Sequence, residues 1–376
     1  MNFDYSDDQK YLRDEAAKFL AGTCTIERIR AVLDAAGTAQ DDDLWRAIVA
    51  MGWPGMCIPE SFGGLGMDPV DLCAIAERIG AALAPVPFSS TVYLFAEAIM
   101  LAGSEDQKAR LLPGIVTGDV TGCVAAAEGP GSPFATTPAT VVVNDEISGS
   151  KLPVTDGGTA SHALVLATAE GAPALFVVAL GEGGVARTTL RTLDPTRNSA
   201  RLDFTAAPCE RLGGVGEGLT LLQRIHDRAA VYLAFEQIGG ADQTLEMARD
   251  YALERHAFGR PIGGYQAIKH RLADMYIRNQ LARSNAYYGA WALRGDNPIL
   301  ARAAAAARVA ASEAYWFASK ECIEIFGGIG TTWEADCHLH YRRAKQLALM
   351  VGGTAAWRER LVCELEREAA EQIDGL

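Results

Sequence analysis

The stretch ERHAFGRPIGGYQAIKHRLADM, Glu254 to Met275, joins two long segments with helical apolar spacing through a short turn. Phe258-Gly259-Arg260-Pro261-Ile262-Gly263 carries the turn signals, and Gln266 opens the next helix. Arg255, His256 and Arg260 cluster where the first helix ends. The negative end of the helix dipole accounts for such a cluster without a ligand. The planar fork of Arg255 also suits a pyrophosphate, so both readings stand at this point.

Working outward, one long helix is expected from Leu219 to near Arg255 and a second from Tyr265 to Leu293. Asn297-Pro298 supplies a cap and a first-turn proline for a third, which carries the alanine-dense run Ala301 to Ala311. The last stretch, Ala335 to Glu371, is helical with a break at Gly352-Gly353. Long helices with short connections predict a four-helix bundle over residues 215–376. In Ile323 to Lys345, IEIFGGIGTTWEADCHLHYRRAK, glycines 327, 328 and 330 end a helix. They can serve as a plain C-cap or let a flat ligand or phosphate approach the main chain.

Upstream the texture changes. Residues 118–214 read as short strands with frequent turns and no intervening helices, which favours an antiparallel barrel or sandwich. Asn144-Asp145 reads as a hairpin turn, with further strands at Ala163–Thr168, Ala174–Leu180 and Ala200–Phe204. Residues 1–117 are helical, with Ser6 as a cap followed by Asp7 and Asp8. Later helices are expected at Leu44–Met51, Pro69–Leu83, Tyr93–Leu101 and Glu105–Ile115. The order is an α-helical N-terminal domain, a middle β domain and a C-terminal bundle.

Composition narrows the function classes. The chain has 376 residues, 49% hydrophobic and 22% charged, with a net charge of −13. This excludes a disordered chain and argues against nucleic acid or an anionic membrane as the main partner. The eight cysteines form no C-x-x-C pair and suit a reduced compartment. No secretory signal is read in MNFDYSDDQK, and no apolar run approaches the roughly 20 residues of a membrane span, so a cytoplasmic location is expected. RLGGVGEG, Arg211 to Gly218, lacks the Rossmann spacing and reads as a connector. His338 and His340 lie about 200° apart on a helix, unlike a metal pair, and no metal site is expected.

The motifs Arg255-x-x-Phe258-Gly259 and Phe326-Gly327-Gly328-Ile329-Gly330, in this order and layout, resemble the acyl-CoA dehydrogenase family of flavoproteins. The resemblance covers nearly the whole chain, including ESFGGLGMDP (Glu60 to Pro69) and Ala127 to Ser132. It implies a helical N-terminal domain, a β-barrel and a four-helix bundle, assembled as homo- or heterotetramers with FAD between two subunits. It places Ser132 and Thr155 on the flavin side. Arg255, Phe258 and Gln266, with Glu324, Gly327 and Gly328 of a neighbouring subunit, fall on the adenine and pyrophosphate side, and Thr354 also approaches the cofactor. The implied reaction is α,β-dehydrogenation of an acyl-CoA, as in fatty acid β-oxidation. A carboxylate takes the α-proton, a hydride leaves for flavin N5, and an electron-transfer flavoprotein or similar acceptor takes the electrons.

The resemblance fails at the base. Where the family carries a catalytic Glu before a Gly-Thr pair, this chain has Gly352, or Val351 if the alignment slips by one. The alternative family position, on the first bundle helix, aligns with Ala229. Asp227 points about 200° away from Ala229, and Glu236 stands about 10 Å along the helix, so both read as structural. Pro153 and Glu324 replace the Trp and Gln of many members. No catalytic residue is therefore assigned. Three readings follow: a dehydrogenase subunit whose base comes from a partner chain, a non-catalytic flavin-binding scaffold subunit, or a flavin-dependent monooxygenase of the same fold.

Overall fold

A computed structural model describes residues 4–35, 40–129, 137–295 and 297–374. The chain opens with helices α1 (Asp7–Thr23), α2 (Ile26–Asp34), α3 (Asp42–Ala50), α4 (Pro69–Ala81), α5 (Glu97–Ala102) and α6 (Glu105–Thr117). Ser6 caps α1 as predicted, its hydroxyl accepting from the Gln9 amide while the Gln9 side chain accepts from the Ser6 amide. Ser104 and Gln107 repeat this arrangement at α6. The sequence reading missed α2, whose Ile29, Val32 and Leu33 are buried over little more than two turns. It also read a single helix over Tyr93–Leu101, where the chain forms a wider π-helical segment, Ser89–Ala96, that runs into α5. Every residue of that π segment is buried.

The middle region is an eight-stranded mixed sheet. Its strands are β1 (Gly122–Ala125), β2 (Val141–Val143), β3 (Glu146–Thr155), β4 (His162–Ala169), β5 (Ala172–Ala179), β6 (Val185–Thr189), β7 (Ser199–Pro208) and β8 (Glu210–Leu212). The ladder runs β6-β7-β3-β2-β4-β5-β8, with β1 against β4. Asn144 (φ 51°) and Asp145 (φ 60°) make the left-handed two-residue turn expected between β2 and β3. Unlike the antiparallel expectation, β1 and β2 pair parallel to β4. A parallel pairing cannot be closed by a tight hairpin turn, and β3 follows β2 in the chain before β4. Ile147, Val154, Val165, Phe176, Leu202 and Phe204 form the sheet's core.

The remainder is α7 (Gly218–Glu254), a hairpin of β9 (His256–Ala257) and β10 (Arg260–Pro261), then α8 (Gln266–Ala292), α9 (Leu300–Phe326), α10 (Cys337–Leu349) and α11 (Thr354–Asp374). The predicted Asn297-Pro298 start lies two residues early. Asn297 accepts from the Ile299 amide with its side chain and from the Leu300 amide with its carbonyl, and the helix starts at Leu300. One face of the alanine run, Ala303, Ala304, Ala307 and Ala311, is buried, and α9 packs on α8, α10 and α11. Small residues let α7 join them: a Cβ on Gly240 would meet the Tyr315 ring, and one on Gly289 would meet Val231.

Contacts sort the chain into two units. In one, residues 1–26 and 73–84 accompany 230–376; the other holds 27–72 and 85–229. Within the first, α4 and α7 cross at backbone distance, since a Cβ on Gly80 would lie 1.8 Å from the Glu236 carbonyl oxygen and one on Gly239 1.8 Å from that of Glu77. Among the described residues no helix is long and apolar enough to cross a membrane.

Candidate functional site

In the bundle unit, Arg255 follows the last residue of α7, and its carbonyl accepts from the Ile262 amide at 2.7 Å, closing the β9–β10 hairpin. Phe258 (φ 52°) and Gly259 (φ 82°) form the tip. A left-handed Phe costs energy that only surrounding constraints sustain. Those constraints are present: the Tyr265 hydroxyl donates to the Ala257 carbonyl at 2.9 Å, and the Arg260 guanidinium lies 4.0 Å from the Tyr265 ring centre. The result is a tip at which Phe258 is 98% exposed. Arg255 is exposed beside it, and Gln266 is exposed at the first position of α8.

The glycine turn belongs to the same end of the bundle. Tyr251, on the last turn of α7, stacks on Phe326 at the end of α9, with ring centres 4.1 Å apart and planes 12° from parallel. Gly327 (φ 67°) ends α9, its amide donating to the Glu324 and Ile323 carbonyls. A Cβ on Gly327 or Gly328 would meet nothing within 4 Å, so the main chain is open to a flat group. Glu324 is exposed beside this turn. Arg255, Phe258, Gln266, Glu324, Gly327 and Gly328 thus gather at one end of one unit. Thr354, the first residue of α11, stands at the α10–α11 junction instead.

In the sheet unit, Thr155 is the half-buried last residue of β3. Ser132 lies outside the described residues. Glu128, at the entrance to that segment, is held by the Lys151 ammonium at 2.7 Å and by the Ala139 and Thr140 amides at 2.7 and 2.9 Å. Burial works to raise its carboxyl, but these hydrogen bonds outweigh burial and bring it down to about 2. Burial lowers Lys151 while Glu128 opposes the fall. Glu128 is therefore an anchor, with its oxygens turned to its own chain. Lys151 was missed in the sequence, although it sits four residues after inward-facing Ile147, at an even spacing that also points inward.

None of the three positions aligned with the family's base offers a carboxylate. Ala229 is buried within α7. Val351 is buried, its carbonyl accepting from the Trp357 indole at 3.2 Å. Gly352 has φ 106°, a backbone that L-residues rarely adopt. Of the nearby carboxylates, Asp227 is buried and accepts from Gln223 at 3.1 Å. Glu236 is buried with its charge acting on buried Arg308.

The sequence matches the profiles described as "Acyl-CoA dehydrogenase, N-terminal domain" over residues 6–119 and "Acyl-CoA dehydrogenase, C-terminal domain" over residues 216–364. The chain belongs to the acyl-CoA dehydrogenase family. It is 32% identical to acyl-CoA dehydrogenase IpdE2 of Mycobacterium tuberculosis over 347 residues, 90% of this chain and 91% of that protein. Among solved structures it resembles a Tcur3481-Tcur3483 steroid ACAD variant, with TM-score 0.87 and 31% identity over 97% of this chain and 99% of that one. It also resembles the ChsE4-ChsE5 complex from Mycobacterium tuberculosis, with TM-score 0.88 and 27% identity over 97% and 99% of the two chains.

The activity class is thus FAD-dependent dehydrogenation of an acyl-CoA, with FAD as the cofactor. The residues present fit that cofactor: an exposed guanidinium, an uncovered aromatic ring and an open glycine turn suit the diphosphate and adenine of a dinucleotide. FAD supplies the hydride acceptor when bound; this dehydrogenase's own residues hold and orient it.

Proposed function

We propose that this chain is the FAD-holding, base-lacking subunit of a cytoplasmic heteromeric acyl-CoA dehydrogenase, a tetramer in which a related chain supplies the α-proton acceptor. The observation that carries the reading is the absence of a carboxylate at Ala229, Val351 and Gly352, combined with the retained cluster around Arg255. Arg255, Phe258 and Gln266 bind the dinucleotide end, with Glu324, Gly327 and Gly328 of a neighbouring subunit, while Ser132, Thr155 and Thr354 serve the flavin end. The names of two similar structures, one a steroid ACAD and one a complex of two chains, favour a bulky steroid-type acyl-CoA as substrate and a second, related subunit. An electron-transfer flavoprotein or similar acceptor then reoxidises the enzyme.

The test is co-expression with a related chain that retains the Glu. Acyl-CoA-dependent dye reduction is expected to disappear when the partner's Glu is changed to Gln, and to persist when Asp227→Asn is made in this chain. Loss of turnover on Asp227→Asn alone, with the protein still folded and yellow, would move the base to this chain. The missing carboxylate equally suits a non-catalytic scaffold. In that case flavin bound to this chain stays oxidised on adding acyl-CoA even with the partner present.

A further inference from the structure

Directly after Thr155, the sheet unit carries an ion pair that no step above uses. The side chains of Asp156 and Arg197 are each 2% exposed. Arg197 Nε donates to Asp156 Oδ1 at 3.1 Å and Nη2 donates to Oδ2, a two-pronged contact. Its Nη1 donates to the Ser89 hydroxyl at 2.8 Å, and the Ser90 hydroxyl donates to Asp156 Oδ2. Both serines lie on the buried π segment. Wide π turns recur at functional sites.

The backbone at this point is left-handed. Asp156 has φ 59°, left-handed for a residue with a side chain. Such a conformation is sparsely populated and persists when its surroundings over-determine it. Here they do. The Asp156 amide donates to the Asn198 carbonyl at 2.8 Å, and the Gly158 amide donates to the Asn198 side chain at 3.0 Å. Arg187 reaches in to donate to the Ala160 carbonyl at 2.9 Å and the Leu180 carbonyl at 2.8 Å. Thr155 itself pairs with Ser199 at the start of β7. Arg197 and Asn198, immediately before Ser199, therefore clamp the residue that follows Thr155 by side chain and main chain at once. A buried ion pair adds little net stability over apolar residues of the same size, so what this one adds is geometry.

We infer that Arg197 is a positioning residue of the flavin site: through Asp156 and the Ser89–Ser90 hydroxyls it fixes where β3 ends, and hence where Thr155 presents its polar groups to FAD. This rests on the assignment of Thr155 to the flavin side made above. It gives Arg197 and Asp156 a role in the reaction that acts through Thr155.

The test uses the yellow oligomer, with its partner if turnover needs one, carrying Arg197→Lys, Asp156→Asn or the pair Ser89→Ala with Ser90→Ala. Lysine keeps the charge and loses the fork. Expected for Arg197→Lys and Asp156→Asn are a changed visible spectrum of the bound flavin and amide exchange over Thr155–Ala160 faster by about tenfold. The rate of flavin reduction at saturating acyl-CoA is expected to fall about 10- to 100-fold, with KM within about twofold. The serine pair, which keeps the ion pair, gives a smaller shift in the same direction and serves if the charged variants do not fold. If Arg197→Lys or the serine variant holds FAD with unchanged spectrum, exchange and rate, the positioning role is overturned while the flavin assignment stands. If the wild-type protein holds no FAD either alone or with its partner, the flavin assignment falls and this inference falls with it.

Discussion

Replacing Glu128 by Gln removes the counter-ion of a fully buried lysine. The Lys151 side chain is 0% exposed and that of Glu128 19%, with 2.7 Å between Nζ and Oε1. Removing one partner of a buried pair costs about 3–5 kcal/mol. An independent figure comes from the carboxyl itself: its fall from 4.5 to about 2 corresponds to about 3 kcal/mol. Solvent at the partly exposed Glu128 screens part of this, leaving about 2–3 kcal/mol as the expected loss. Lys151→Met should cost less, about 1 kcal/mol, because Glu128 keeps its two backbone donors and some contact with water. The double variant is expected to recover about 1–2 kcal/mol of the Glu128→Gln loss. Urea unfolding at fixed protein and FAD concentration measures all three. Since Glu128 anchors the start of the segment that carries Ser132, weaker FAD retention should accompany the stability loss. A Glu128→Gln variant within about 0.5 kcal/mol of wild type, or a double variant no better than Glu128→Gln, would refute the anchor.

Three further outcomes are expected. The folded-state carboxyl of Glu128 titrates below its ordinary value, so its contribution is complete above about pH 4.5 and is lost as pH falls from there toward 2. Acid unfolding of Glu128→Gln should accordingly show a shallower slope in that window than wild type, and equal slopes would contradict it. Phe258→Ala, at a ring 98% exposed, should leave the unfolding midpoint of the flavin-free protein unchanged and raise the FAD dissociation constant about tenfold, read by flavin fluorescence. Gly239→Ala should destabilise the α4–α7 crossing by more than about 2 kcal/mol, because the new Cβ would lie 1.8 Å from a carbonyl oxygen. A soluble Gly239→Ala protein with wild-type urea midpoint would disprove that crossing.

The sequence is legible where local chemistry decides the structure. The Ser6–Gln9 cap, the Asn144-Asp145 turn and the buried alanine face of α9 each follow from residues within a few positions of one another. The π segment was not legible: Ser89–Ala96 has the apolar character of an ordinary buried helix, and its wider winding is set by tertiary packing. The start of α9 was misplaced by two residues because Asn297 and Pro298 form a turn ahead of the helix. At the candidate site, the hairpin tip and the glycine turn were visible as motifs, but the Tyr251–Phe326 stack that joins them spans 75 residues of sequence from Tyr251 to Phe326. Lys151–Glu128 and Arg197–Asp156 were hidden for the same reason, since each pairs residues of different segments and no periodicity reports a charge partner.

On the reading proposed above, this dehydrogenase chain holds FAD yet depends on another chain for its base. The decisive measurement records the visible spectrum, subunit mass and acyl-CoA-dependent dye reduction of the protein purified alone, and again after co-expression with a related chain that retains the catalytic Glu. A yellow complex of the two chains that turns over is expected, with no turnover from this chain alone. Colourless protein in both preparations, or full turnover by this chain without a partner, would contradict it.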